Sequence, residues 1–228
     1  MKTWTVNDVM TEAVVSVEPA ASYRDVVDLL VGHRFSAVPV VDDFLRVTGV
    51  ISEADLLRKI EHAGDDTPRL FEGRRRRVER AKARAGTAAE LMSSPPVVAL
   101  TGTTLAAAAR LMDAENVKRL PVVNDLGRLV GIVSRGDLLK VHLRPDDEIS
   151  TDMARDVLGV CLADKYDQVN AEVLDGVVTL TGQVDRRSTA NLVIRLGRQV
   201  PGVVDVLDRL TVAFEDTDTT SSGVFYVA

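Results

Sequence analysis

Two serine–aspartate pairs of identical spacing, Ser52 with Asp55 and Ser134 with Asp137, stand where a β-branched run gives way to a helix-forming one. Such a junction offers unbonded backbone N–H groups and the positive end of a helix dipole to a phosphate. A carboxylate three residues on can accept hydrogen bonds from two ribose hydroxyls. The same spacing also serves as a plain helix cap, with serine accepting from the backbone and aspartate favoured by the dipole. Taken singly, each junction reads as a cap, because capping boxes are common. What favours a nucleotide site is repetition: Gly-Val-Ile-Ser-x-x-Asp-Leu-Leu at 49–57 returns as Gly-Ile-Val-Ser-x-x-Asp-Leu-Leu at 131–139, an offset of 82.

The offset holds across a whole unit. Asp8-Val9-Met10-Thr11 maps onto Glu90-Leu91-Met92-Ser93, and Val38-Pro39-Val40-Val41 maps onto Leu120-Pro121-Val122-Val123, with no gap between. Two copies, about 8–62 and 90–144, are too few for a solenoid. In the first copy, hydrophobic periodicity predicts a strand at 14–17 and a helix running from an N-cap at Ser22, with Asp25 three residues on, to about His33. Strands at 37–41 and 47–51, joined by a hairpin, and a helix opened by Ser52 complete it. The second copy repeats the plan with a strand at 97–100, a helix at 104–114, strands at 120–123 and 129–133, and a helix at 134–141. Each unit is β-α-β-β-α. A unit of roughly 55 residues buries too little apolar surface to be comfortable alone, so the copies are expected to pack about a pseudo-twofold axis, leaving two equivalent clefts.

Bulk properties narrow the function classes. The 228 residues are 46% hydrophobic, enough for two or three small cores. Cys161 is the only cysteine, which excludes an intrachain disulfide or thiolate cluster, and His33, His62 and His142 lack ligand spacing, so no metal site is expected. No signal-peptide core and no bilayer-length apolar stretch occur, which reads as cytoplasmic. Residues 65–88 carry a net charge of +4 and the remainder −10. A basic strip on an acidic body opposes a nucleic-acid partner, and beside Arg74–Arg77 only Phe71 offers an aromatic surface for stacking. The strip reads as a solvated helical linker.

After Pro145 the pattern changes. A helix is predicted over 147–163, then alternating strands at 169–173 and 177–181 around Asp175-Gly176, a type I′ hairpin signal. A helix through Ala190, Leu192, Val193 and Leu196, a turn at Pro201-Gly202 and a strand at 203–212 follow, giving α-β-β-α-β. Gly182 and Gly202 read as residues of chain reversal and close packing. Cys161 reads as a buried filler.

The motifs quoted above, in units that together span about half the chain, resemble CBS domains, named for cystathionine β-synthase, and the pair resembles a Bateman module. Asp-Gly-Val-Val-Thr-Leu-Thr-Gly-x-Val at 175–184 and Val-Pro-Gly-Val-Val-Asp-Val at 200–206 resemble a BON domain. The resemblance implies a mixed α/β (α+β) fold: a first CBS domain at 1–64, a basic helical linker at 65–88, a second CBS domain at 89–144, a BON domain at 145–213 and a flexible tail at 214–228. It implies that Asp55 and Asp137 hold a ribose and that Ser52 and Ser134 assist ribose or phosphate. The backbone around Thr11 to Val15 and Ser93 to Val97 would then meet an adenine. Lys118 and Arg119 occupy the place where nucleotide-binding relatives contact phosphate, whereas the first copy has Ser36 and Ala37, so the two clefts are expected to differ. The sequence leaves open which cleft the basic pair serves, and a solvated strand end is its plainer reading.

The function implied is a non-catalytic, cytoplasmic regulator without covalent cofactor. An adenine nucleotide (AMP, ADP, ATP or an adenosyl derivative) would occupy the CBS clefts, and a BON domain would relay its presence to a protein partner. A homodimer is expected through the Leu56-Leu57 and Leu138-Leu139 helices. The alternative is an envelope adaptor whose BON domain binds phospholipid and whose clefts are structural.

Overall fold

The computed structural model describes residues 3–61, 85–162 and 168–216. Most of the expected basic linker at 65–88 and the tail after Asp216 lie outside these residues. The chain divides into two compact units, Trp4–Leu138 and a second built from Leu139 onward.

In the first unit, α1 (Tyr23–His33) opens on the predicted capping box, Ser22 accepting from the Asp25 backbone while the Asp25 carboxylate accepts from the Ser22 N–H. Strands β1 (Ala37–Val41) and β2 (Val47–Ser52) pair antiparallel with Ala37 opposite Ser52, and α2 (Glu53–Glu61) follows without a break. The second copy contributes α3 (Ala88–Leu91), β3 (Ala99–Leu100), α4 (Leu105–Ala114), β4 (Arg119–Val123), β5 (Leu129–Ser134) and α5 (Arg135–Leu139). The register of β4 and β5 copies that of β1 and β2, Arg119 lying opposite Ser134. The first strands are shorter than predicted. The run at 14–17 reduces to one parallel bridge, Val17 with Val40, and only two residues of 97–100 form β3.

The reason lies in how the copies exchange their opening segments. Thr11 bridges Ile132 of the second copy, and Ser93 bridges Val50 of the first. Chain held to the opposite copy over those residues cannot run on as a long strand beside its own. The cores are exchanged likewise. Ala85, Ala88 and Leu91 complete the cluster of Val26, Leu30, Val38, Val40 and Ile51, while Val6 and Val9 complete that of Met112, Leu120, Val122 and Val133. This explains the glycine that begins the repeated phrase. A Cβ on Gly49 would lie 2.6 Å from Met92 Cγ, and one on Gly131 would lie 3.0 Å from Met10 Cγ, so a side chain would expel the crossing methionine.

The second unit contains α6 (Asp146–Asp152), a π-helical segment (Met153–Leu158), α7 (Gly159–Leu162), β6 (Val169–Leu174), β7 (Val177–Arg186), α8 (Arg187–Gly197) and β8 (Asp205–Phe214). The strands run β6-β7-β8, antiparallel then parallel. The order is the predicted α-β-β-α-β, with the single expected helix at 147–163 interrupted by a π segment. Ile149, Met153, Val178, Leu180, Val193 and Val206 form its core. Asp175 and Gly176 both have positive φ, 51° and 74°, as a type I′ turn requires. Gly202 turns the chain against Ile149. Cys161 is half-buried, and that burial pushes its thiol pKa up, away from thiolate reactivity.

Candidate functional site

Strand β2 ends at Ser52 and α2 begins at Glu53, so the helix N-terminus opens where the strand stops. The Ser52 backbone N–H and hydroxyl both donate to Asp55 Oδ2, at 2.9 and 2.7 Å. At the matching junction, Ser134 donates twice to Asp137 Oδ2, at 2.8 and 2.6 Å. The capping reading holds for the aspartate in both copies, and in the second Ser134 Oγ also accepts from the Asp137 backbone N–H at 3.2 Å. Capping does not account for the burial of Asp55, which is 6% exposed and is the one buried charged residue among those described. A carboxylate taken out of water requires hydrogen-bond donors or a cation nearby, and its two oxygens offer about four acceptor positions.

Asp55 borders a cavity of about 270 Å³ that draws its walls from both copies. Ser52, Glu53 and Asp55 form the helix-terminal wall. Val50, Pro95, Pro96 and Val97 form apolar surfaces, the last three brought over by the Ser93 crossing. The remaining edge is cationic, with Lys118 and Arg119 beside Ser36 and Ala37. A flat apolar body, a hydroxyl-bearing middle and an anionic end would each meet a fitting surface.

Five of the nine residues singled out from the sequence therefore gather here: Ser52, Asp55, Val97, Lys118 and Arg119. Thr11, Val15, Ser134 and Asp137 do not line this cavity. Thr11 bridges Ile132, two residues before Ser134, which places it at the other junction, and Val15 matches Val97 under the offset of 82. The basic pair, unassigned by sequence, lines the Ser52–Asp55 cavity. The Arg119 backbone belongs to β4, yet its Nε crosses to donate to Ser36 Oγ at 2.7 Å. Sequence reasoning missed Glu53, Asn116 and Ser36 as lining residues. The signal for Ser36 was present, since it occupies the first-copy place of Lys118, but it read as a missing charge.

The sequence pattern of the CBS domain matches residues 6–62 and 88–144, and that of the BON domain matches 146–213. The chain is a tandem CBS-domain protein with a C-terminal BON domain. It is 32% identical over 155 residues to the chloroplastic CBS domain-containing protein CBSX2 of Arabidopsis thaliana, a match covering 62% of this chain and 64% of that relative. The chain thus spans a little under two thirds of that relative's length. The crystal structure of CBSX2 in complex with AMP superposes with a TM-score of 0.55 at 33% identity, covering 61% of this chain and 97% of that one. CBS pairs also occur within enzymes: inosine-5'-monophosphate dehydrogenase of Methanocaldococcus jannaschii is 25% identical over 139 residues, a match covering 61% of this chain and 24% of the enzyme.

Proposed function

We propose that this CBS–BON protein is a non-catalytic regulator that binds an adenine nucleotide in the Ser52–Asp55 cavity and relays its presence through the BON domain. The observation that carries the reading is the meeting, round one cavity, of a buried Asp55 at a helix N-terminus with Lys118 and Arg119 across apolar walls. In this reading Asp55 accepts from the ribose hydroxyls and Val97 and Pro96 flank the base. Lys118 and Arg119 take the phosphate, with Ser52 and the α2 N-terminus assisting. The likeness to CBSX2, solved with AMP, makes AMP the first ligand to try. No described helix is long and apolar enough to cross a membrane, and we place the protein in the cytoplasm.

AMP at a hundredfold excess over Kd stabilises a folded state by about 2.7 kcal/mol, which corresponds to a rise of roughly 5 to 10 °C in melting temperature for a chain of this size. A thermal scan with millimolar AMP, ADP and ATP tests this. If none of the three moves the transition, the sensor reading is wrong.

For the BON domain, a protein partner is favoured over an anionic lipid. Residues 145–213 carry twelve acidic and seven basic side chains, a net charge of −5 that a negative membrane surface repels. Most of its described arginines are also engaged by carboxylates: Arg187 by Glu215 and Asp208, Arg186 by Asp216, Arg155 by Asp152 and Asp156, and Arg198 by Asp205. The protein is expected not to co-sediment with phosphatidylserine vesicles at physiological salt. Strong binding that Arg195→Glu removes would instead favour the phospholipid adaptor.

A homodimer completes the proposal. Of each Leu-Leu pair one member is buried, while Leu57 and Leu139 stay exposed, with Ile60 beside Leu57 on α2. Such apolar helix surface calls for a cover. Light scattering at high micromolar concentration should return twice the chain mass.

A further inference from the structure

The repeat is broken at the two positions before the Val38-Pro39-Val40-Val41 run and its counterpart Leu120-Pro121-Val122-Val123, Ser36-Ala37 in the first copy and Lys118-Arg119 in the second, and the structure places both unlike pairs in one cavity. There they interact directly, through the 2.7 Å hydrogen bond from Arg119 Nε to Ser36 Oγ. Ser36 is itself fixed, because its carbonyl accepts from the backbone N–H of Glu53, the first residue of α2, at 3.1 Å. A guanidinium has five donors in a rigid planar fork, so anchoring Nε orients the terminal nitrogens while leaving them able to grip an anion in bidentate fashion. The anchor stands beside the α2 N-terminus, which favours negative charge at the same point.

We propose that Ser36 is a positioning residue that holds Arg119 for the phosphate of the bound ligand, so that this cleft separates nucleotide from nucleoside. The proposal rests on the reading of the cavity as an adenine nucleotide site and goes beyond it in assigning the source of phosphate selectivity. It also makes the two clefts unequal. The symmetry mate of the contact would run from residue 37 to residue 118, and the Ala37 side chain has no donor to send. At the second junction the residue matching Glu53 is Arg135, and its side chain donates to the Val117 and Met112 carbonyls at 3.3 and 3.4 Å. The anchored fork is thus a property of the Ser52–Asp55 cleft, with one phosphate-selective site per chain.

Calorimetric titration of the full chain with AMP and with adenosine tests this. Ser36→Ala should lower AMP affinity by about 3- to 10-fold, the range for losing one modest hydrogen bond, and leave adenosine affinity unchanged. Ser36→Thr, which keeps the hydroxyl, should restore the AMP preference. In an Arg119→Ala background, Ser36→Ala should add nothing, since partners that act as a unit are non-additive. An unchanged AMP-to-adenosine ratio in Ser36→Ala, an equal loss for both ligands, or phosphate selectivity at two sites per chain would overturn the proposal. Wild-type protein that binds neither ligand would remove the nucleotide reading itself, and this assignment with it.

Discussion

Asp55→Ala is expected to weaken AMP binding at the Ser52–Asp55 cavity by about 100-fold or more. Hydrogen bonds to a charged acceptor contribute about 1.5–3 kcal/mol each, and the proposed ribose contact uses two of them. The site amplifies the loss. Asp55 is 6% exposed, so no bulk water stands ready to replace the carboxylate, and the apolar walls at Val50, Pro96 and Val97 offer no substitute acceptor. The same substitution removes the partner of two Ser52 donors and so lowers stability as well as affinity. Asp137→Ala separates the two effects. It breaks an equivalent cap at Ser134, with the same pair of hydrogen bonds, at a junction that does not line the Ser52–Asp55 cavity. Equilibrium titration should therefore show AMP binding at the Ser52–Asp55 cavity lost in the first variant and kept in the second. Equal AMP affinities at that cavity in the two variants would reduce Asp55 to a capping residue.

The parts of this site that were legible in the sequence are those set by local spacing. A serine three residues before an aspartate meets it readily at the first turn of a helix, and both junctions form in the way that spacing favours. The β-branched runs of β1 and β4 pair with β2 and β5 in one repeated register, because alternation and a short hairpin leave little choice. What the sequence could not disclose is which copy supplies which wall. An offset of 82 maps Ser93 onto Thr11 but says nothing of whether either stays with its own copy or crosses, and both cross. The same blindness hid the role of Ser36. A hydroxyl in the place of a lysine reads as a deficit along the chain, and becomes a hydrogen-bond partner only once Arg119 reaches it from the other copy. The shortening of the first strands has this origin too. Val14 and Val15 have the β-branched character of a strand, but Thr11 is already bound to Ile132, and the chain reaches its own sheet only at Val17. The π segment at Met153–Leu158 carries no sequence signal that we can name.

The crossing makes the position of Leu91 the sharpest test of the architecture. By sequence it belongs to the second copy, as the counterpart of Val9, yet its side chain is fully buried among Val26, Leu30, Val38, Val40 and Ile51 of the first. Leu91→Ala removes buried methyl groups and leaves a cavity, at a cost of about 2–5 kcal/mol, a large share of the 5–15 kcal/mol that usually holds a domain folded. Denaturant titration should record that loss. Its location is the discriminating result, since local openings lie below the global transition and can be read amide by amide. Hydrogen exchange in Leu91→Ala should accelerate most at Val38, Val40 and Ile51, where the cavity lies, and less at Leu120, Val122 and Val133, whose core is completed by Val6 and Val9 instead. Val6→Ala should reverse that order with a smaller amplitude, because fewer methyl groups are removed. If Leu91→Ala instead loosens the Leu120, Val122 and Val133 amides first, each copy folds upon itself. The Pro95–Val97 wall would then no longer face Asp55, and the two-copy cavity would lose its structural basis.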